Sequence, residues 1–179
     1  AEEASRPNFV FVLVDDLGRQ DVGVYGSSLH ETPHMDQLAA DGMRFDNAYT
    51  AHPRCVPSRL ATMSGRYPAS YGIPGFQDRK SSKHALPLSA VTFGEVLQEA
   101  GYETGYIGKW HLGKAGGEPL YQGFETSIMA GASGAPPSYF LPYEVKVVDG
   151  DSKGFEPYSG GEKGEYLTDR RTDEAQRFI

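Results

Sequence analysis

The residue pattern predicts an α/β fold, a mostly parallel central sheet flanked by helices, incomplete within this chain. Three observations carry that expectation. The run "FVFVLV" is a β-branched and aromatic stretch closed by "DDLG", the look of a strand buried on both faces. Strand-like and helix-like segments then follow in the order strand, helix, strand, helix, helix, strand, which favours parallel pairing through crossovers. The last segment, "YLTDRRTDEAQRFI", has helical spacing but reaches Ile179 with no Gly, Asn or Pro to end it.

Taken in order, "NFVFVLVDDLG" is expected as the first strand and "ETPHMDQLAADG" as the first helix. In that helix Thr32 stands at the N-cap, Pro33 at the first helical position and Gly42 at the end, with Met35, Leu38 and Ala39 inward. "MRFDNAYT" alternates as a second strand. "VPSRLATMSG" reads as a short helix opened at Pro57 or Ser58 and closed by Gly65. "TFGEVLQEAG" is a stronger helix, because Thr92 and Glu95 form a capping box and Gly101 ends it. "YETGYIGKWHLG" follows as a strand with Tyr102, Thr104 and Tyr106 alternating. Residues from Gly116 to Tyr139 and from Asp149 to Gly164 read as loops rich in Gly, with a strand at "YEVKVVDG" between them. In the final helix Leu167, Arg171, Ala175 and Phe178 share a stripe, and Thr168 or Thr172 is available as N-cap.

Composition narrows the function. Of 179 residues, 39% are hydrophobic and 23% charged, as in a globular domain with a core. The net charge of −7 argues against a nucleic-acid binder, which needs a basic face for phosphates. A local Arg/Lys pocket can still hold an anion. The single cysteine, Cys55, excludes an intrachain disulfide and any multi-cysteine metal site. The longest apolar run is too short to span a bilayer. The start "AEEASRPN" is compatible with a mature exported protein or a trimmed one.

Polar groups from three segments fall where ligands collect in such sheets, at the carboxyl ends of strands. Asp15 and Asp16 follow the first strand, and adjacent carboxylates suit a hard cation such as calcium or magnesium or else a solvated turn. If both carboxylates are to serve one cation, the backbone must bend at Gly18. Lys109 and His111, two apart on a strand, would share a face, able to hold an anionic ester and move a proton or simply to meet water, with Trp110 in the core. Cys55 near a helix N-terminus is either a packed thiol or an activated one. A tyrosine-phosphatase loop places Arg six residues after Cys, where this chain has Ala61, so that loop does not fit. Nor is a cysteine-protease neighbourhood present. His30, His34, His52 and His84 are scattered and none is assigned to a metal. Arg54 and Arg66 are structural or contact substrate.

"C-V-P-S-R-L-A-T-M-S-G-R", Cys55 to Arg66, resembles the signature of the type I sulfatases of the alkaline-phosphatase-like superfamily. "PNFVFVLVDDLG", "TPHMDQLAADGMRFDNAYT", "GYETGYIGKWHLG" and "YLTDRRTDEAQRFI" are similar to further segments of that family, so the resemblance runs along the chain. It implies that Cys55 is oxidised to formylglycine by a maturation enzyme that reads the surrounding Pro and Arg. The aldehyde hydrates, one hydroxyl attacks sulfur, and the sulfated diol collapses to release sulfate. Asp15, Asp16 and residue 55 would coordinate calcium, and Arg59 would stabilise the diol and nearby carboxylates. Lys109 would bind sulfate and the formylglycine oxygen, while His111 would hydrogen-bond the diol and assist its breakdown.

The expected activity is therefore hydrolysis of sulfate esters, of sulfated carbohydrates if the protein is exported to the periplasm or the cell exterior. The alternatives are a formylglycine-dependent phosphonate monoester or phosphodiester hydrolase, and a catalytically incomplete fragment. The family's later part supplies an Asp-Asn metal pair, a further Lys and a His, and no such motif follows "WHLG". Residues 1–179 are accordingly expected to be the N-terminal part of the catalytic domain, inactive by themselves.

Overall fold

The computed structural model describes residues 6–73, 85–113, 116–143 and 161–179. The chain divides into two compact units, Ala1–Tyr49 and Thr50–Ile179. Most of the expected "YEVKVVDG" strand, much of the second Gly-rich loop, and His84 lie outside the described residues.

In the first unit the helix α1, Pro33–Asp41, forms where the sequence places it, with Thr32 at its N-cap and Pro33 leading. The Thr32 hydroxyl does not cap the helix. It accepts the Gly23 N–H at 2.8 Å and donates to the Asp36 carboxylate at 3.1 Å. Asp36 in turn accepts the Val24 N–H at 2.6 Å, so α1 is tied to the tight turn Gly23–Tyr25 by polar contacts. The expected inward stripe is not buried: Leu38 is 75% exposed and Met35 is also exposed.

Neither expected strand of this unit forms. Residues 8–14 belong to no sheet, and their side chains from Phe9 to Val14 lie exposed. Residues 43–50 are likewise not a strand, with Met43, Phe45 and Tyr49 exposed. A strand exists only through the neighbour that takes its N–H and C=O groups, and a hydrophobic run supplies the side chains but not that neighbour.

The second unit carries the sheet. Strand β1, Gly105–Ile107, pairs in parallel with β2, Thr126–Ile128, in the register Gly105 to Thr126 and Ile107 to Ile128. The parallel pairing and flanking helices agree with the α/β expectation, while β1 is far shorter than "YETGYIGKWHLG". β2 emerges inside the segment expected to be loop. The helix α2, Cys55–Ser64, starts at Cys55 rather than at Pro57 or Ser58. Proline is tolerated throughout the first helical turn, so Pro57 does not mark the start. Gly65 closes α2 in the left-handed region, φ 65°, with its N–H on the Ala61 carbonyl at 2.8 Å.

The helix α3, Phe93–Glu99, has the expected capping box. The Thr92 hydroxyl accepts the Glu95 N–H at 3.1 Å, and the Glu95 carboxylate accepts the Thr92 N–H at 2.7 Å. The helix α4, Leu167–Phe178, begins one residue before the earlier of the two expected caps, with Tyr166 at its N-cap. Its stripe turns inward as expected: Leu167 is buried, and the Phe178 ring lies over Gly105, where a side chain would collide with it.

The core joins α2 to the sheet. Leu60, Trp110 and Leu112 are fully buried with Met63, Leu86, Ala90 and Phe124 around them. Each large apolar side chain so buried contributes about 1.5–3 kcal/mol. Tyr106, Trp110 and Phe124 meet edge to face, with centroids 4.9 Å apart for Tyr106–Trp110 and 5.2 Å for Tyr106–Phe124.

Candidate functional site

Cys55 is the first residue of α2, a half-buried free thiol. The chain turns into the helix over His52, whose Nδ1 accepts the Arg54 N–H at 3.0 Å. The first helical bond runs from the Ser58 N–H to the Arg54 carbonyl at 3.0 Å. The N–H groups of Cys55 and Val56 therefore precede any intrahelical partner, and they give the helix end positive character at residue 55.

Arg59 lies one turn further along and is 4% exposed. Its Nη1 donates to the Lys109 carbonyl and, at 3.2 Å, to the Tyr106 hydroxyl. The Tyr106 hydroxyl donates in turn to the Lys109 carbonyl at 2.5 Å. A guanidinium and a phenol from two elements thus hold one backbone oxygen. Tyr106 was not among the site residues expected from sequence. Its position three residues before Lys109 is the signal that was available.

Lys109 and His111 follow β1 instead of lying in it, so strand alternation does not set their directions. Gly108 has φ 103° and His111 φ 59°, both left-handed, and the chain leaves the sheet in a turn. That turn is fastened at nearly every residue. The Gly108 N–H donates to the Ile128 carbonyl at 3.0 Å, and the His111 N–H to the Gly131 carbonyl at 3.0 Å. Trp110 Nε1 donates to the Gly117 carbonyl at 2.8 Å, and the Leu112 carbonyl accepts the Leu86 N–H at 2.7 Å. Trp110 is fully buried, as the sequence suggested, and it anchors the turn between Lys109 and His111.

A second guanidinium closes the same strand ends. Arg171 of α4 packs against Gly108, and its Nη2 donates to the Met129 carbonyl at 3.4 Å. Burial lowers its pKa from the usual guanidinium value. Three tyrosines (Tyr139, Tyr106 and Tyr143) pull it back up, and the positive charge of Arg59 adds a smaller downward push. Met129 is itself left-handed, φ 52°. Both strands therefore end in turns stabilised by arginine.

Asp15 and Asp16 belong to the first unit, at an exposed turn. The backbone bends at Asp16, φ 57°, and not at Gly18 as expected. That left-handed residue frees the two carboxylates from the opposed directions of an extended strand. Gly18 instead donates its N–H to the Asp21 carboxylate at 2.8 Å. Paired carboxylates are hard-oxygen donors of the kind calcium takes, so the donor chemistry fits that ion. Calcium takes about 6–8 oxygens, and no group of three or more His, Cys, Asp or Glu side chains gathers among the described residues. The donor set is of the right kind and partial in number. No helix among the described residues is long and apolar enough to cross a membrane.

Comparison with known proteins follows the same lines. The family model described as Sulfatase matches residues 7–179. Arylsulfatase A of Homo sapiens is 48% identical over 130 residues, 70% of this chain and 25% of that protein. N-acetylgalactosamine-6-sulfatase of Rattus norvegicus is 38% identical over 151 residues, 79% of this chain and 28% of that protein. The crystal structure of Ps i-CgsB in complex with k-i-k-neocarrahexaose superimposes with a TM-score of 0.70 at 36% identity, covering 92% of this chain and 39% of that one. The chain spans about a quarter of the length of these curated relatives.

Proposed function

Because the chain belongs to the sulfatase family, we propose that the protein hydrolyses sulfate esters with residue 55 in its formylglycine form. One observation carries the reading. Cys55 opens α2, and Arg59, a turn below it, is bonded to the carbonyl of Lys109, so the helix with the nucleophile precursor and the turn with the Lys-His pair are joined by one side chain.

As formylglycine hydrate, residue 55 supplies the attacking oxygen and a second hydroxyl through which sulfate is released. Asp15, Asp16 and residue 55 would supply part of the ligand set of a calcium ion, whose positive charge would act against the sulfate oxygens. The chain's own groups do the rest. Lys109 binds the sulfate and the nucleophilic oxygen. His111 hydrogen-bonds the residue 55 hydroxyls and moves a proton at one of them. Arg59, one turn from residue 55 on α2, fixes the Lys109 backbone. The first-turn N–H groups of α2 favour negative charge at residue 55.

A sulfated carbohydrate is the proposed substrate class. The reading is supported by the names of the rat N-acetylgalactosamine-6-sulfatase and of the Ps i-CgsB complex with a neocarrahexaose. A formylglycine-generating enzyme is the partner that maturation requires, and a periplasmic or extracellular site accords with a polysaccharide substrate. Residues 1–179 are proposed as the N-terminal part of the catalytic domain.

The test compares the sulfate and phosphate esters of one alcohol, using full-length protein made with the maturation enzyme. Faster turnover of the sulfate ester is expected. Preference for the phosphate ester or diester would move the protein to the phosphonate and phosphodiester hydrolases.

A further inference from the structure

The loop after β2 returns to the Lys-His turn at one residue that no motif marks. The imidazole of His111 lies directly on Gly134. A methyl group built on that glycine would stand 2.5 Å from Cε1, 3.0 Å from Nε2 and 3.1 Å from Nδ1 of the ring. Carbon cannot approach that closely, so the ring edge bearing both nitrogens occupies the space a side chain would need.

Gly134 is there for space and not for conformation. It is absent from the left-handed glycines of the described chain, so alanine can adopt its backbone geometry. Its surroundings are fixed on both sides. The Ser133 hydroxyl donates to the Ala135 carbonyl at 2.8 Å and accepts the Ala135 N–H at 3.4 Å, closing a turn around Gly134. The His111 main chain, at φ 59°, is bonded through its N–H to the Gly131 carbonyl of the same loop. With both backbones held, the imidazole is what must yield to an added methyl.

We propose that Gly134 is a positioning residue for His111, setting the angle at which the imidazole nitrogens address residue 55. The proposal rests on the role given to His111 above. A displacement of about 1 Å in a group that moves a proton lowers turnover on the order of a hundredfold, whereas substrate binding through other groups is little affected.

The experiment uses full-length, formylglycine-bearing protein and the variants Gly134→Ala, His111→Ala and the double variant. Gly134→Ala is expected to lower kcat by roughly tenfold to a hundredfold with KM nearly unchanged. In the His111→Ala background the same change is expected to cost nothing further, because its effect passes through the ring. A crystal structure of Gly134→Ala is expected to show the imidazole moved and the Cα trace intact. A variant with wild-type kcat, an equal loss in the His111→Ala background, or an unmoved ring each overturns the proposal. Wild-type protein without sulfatase turnover would overturn the sulfatase reading instead, and the ring position in the variant would still judge the packing.

Discussion

Arg59 and Tyr106 share a task, since the Lys109 carbonyl receives both their donors. Tyr106→Phe keeps the ring against Trp110 and Phe124 and removes the hydroxyl. It is expected to lower stability by about 1 kcal/mol and to lower kcat modestly, measured by urea unfolding and steady-state kinetics. Arg59→Ala removes a buried charge bonded to backbone and phenol. A loss of about 2–3 kcal/mol is expected for a hydrogen-bonded charge, with kcat falling far more than in Tyr106→Phe. Arg59→Lys should recover little, because an ammonium cannot reproduce the planar fork. At this scale the sequence marked Cys55, Arg59, Lys109 and His111 through their resemblance to a signature. It did not mark Tyr106, Arg171 or Gly134, whose roles depend on contacts between segments distant in sequence.

Elements were legible where their determinants are local. The α3 capping box lies within four consecutive residues, and it forms as read from Thr92 and Glu95. Thr92 does more than cap, since its buried hydroxyl donates to the Gln122 carbonyl at 2.7 Å. Thr92→Ala is therefore expected to cost about 1–2 kcal/mol, the upper end of the capping range, in urea unfolding with an unchanged m value. Strands were the opposite case. Residues 8–14 have every side-chain feature of a buried strand and lie exposed, whereas Thr126–Ile128 pairs within a Gly-rich stretch that carried no strand signal. Register and partner decide a strand, and neither is written in its own residues. The turn at Gly108 shows the same limit. Lys109 and His111 were legible as a pair, but a left-handed glycine and a left-handed histidine, not alternation, set their geometry.

At the scale of the molecule, the exposed apolar run from Phe9 to Val14 and the short two-stranded sheet among the described residues bear on what residues 1–179 can do alone. A polypeptide ending at Ile179 is expected to bind a hydrophobic dye strongly and to show no sulfate-ester turnover, and the full-length protein is expected to show turnover under the proposed function. Under the proposed mechanism, removing calcium from the full-length protein with a chelator is expected to abolish turnover, and restoring the ion to recover it, because the ion would supply the positive charge set against the sulfate oxygens. Everything proposed for the reaction depends on the chemical form of residue 55. The peptide containing residue 55 is weighed from a preparation whose sulfatase turnover has been recorded, after digestion with a protease that leaves the bonds following Arg54 and Arg59 intact. The expected result is the mass of the aldehyde or its hydrate, in a proportion that tracks specific activity across preparations. Full activity in protein whose residue 55 is entirely a thiol would contradict it.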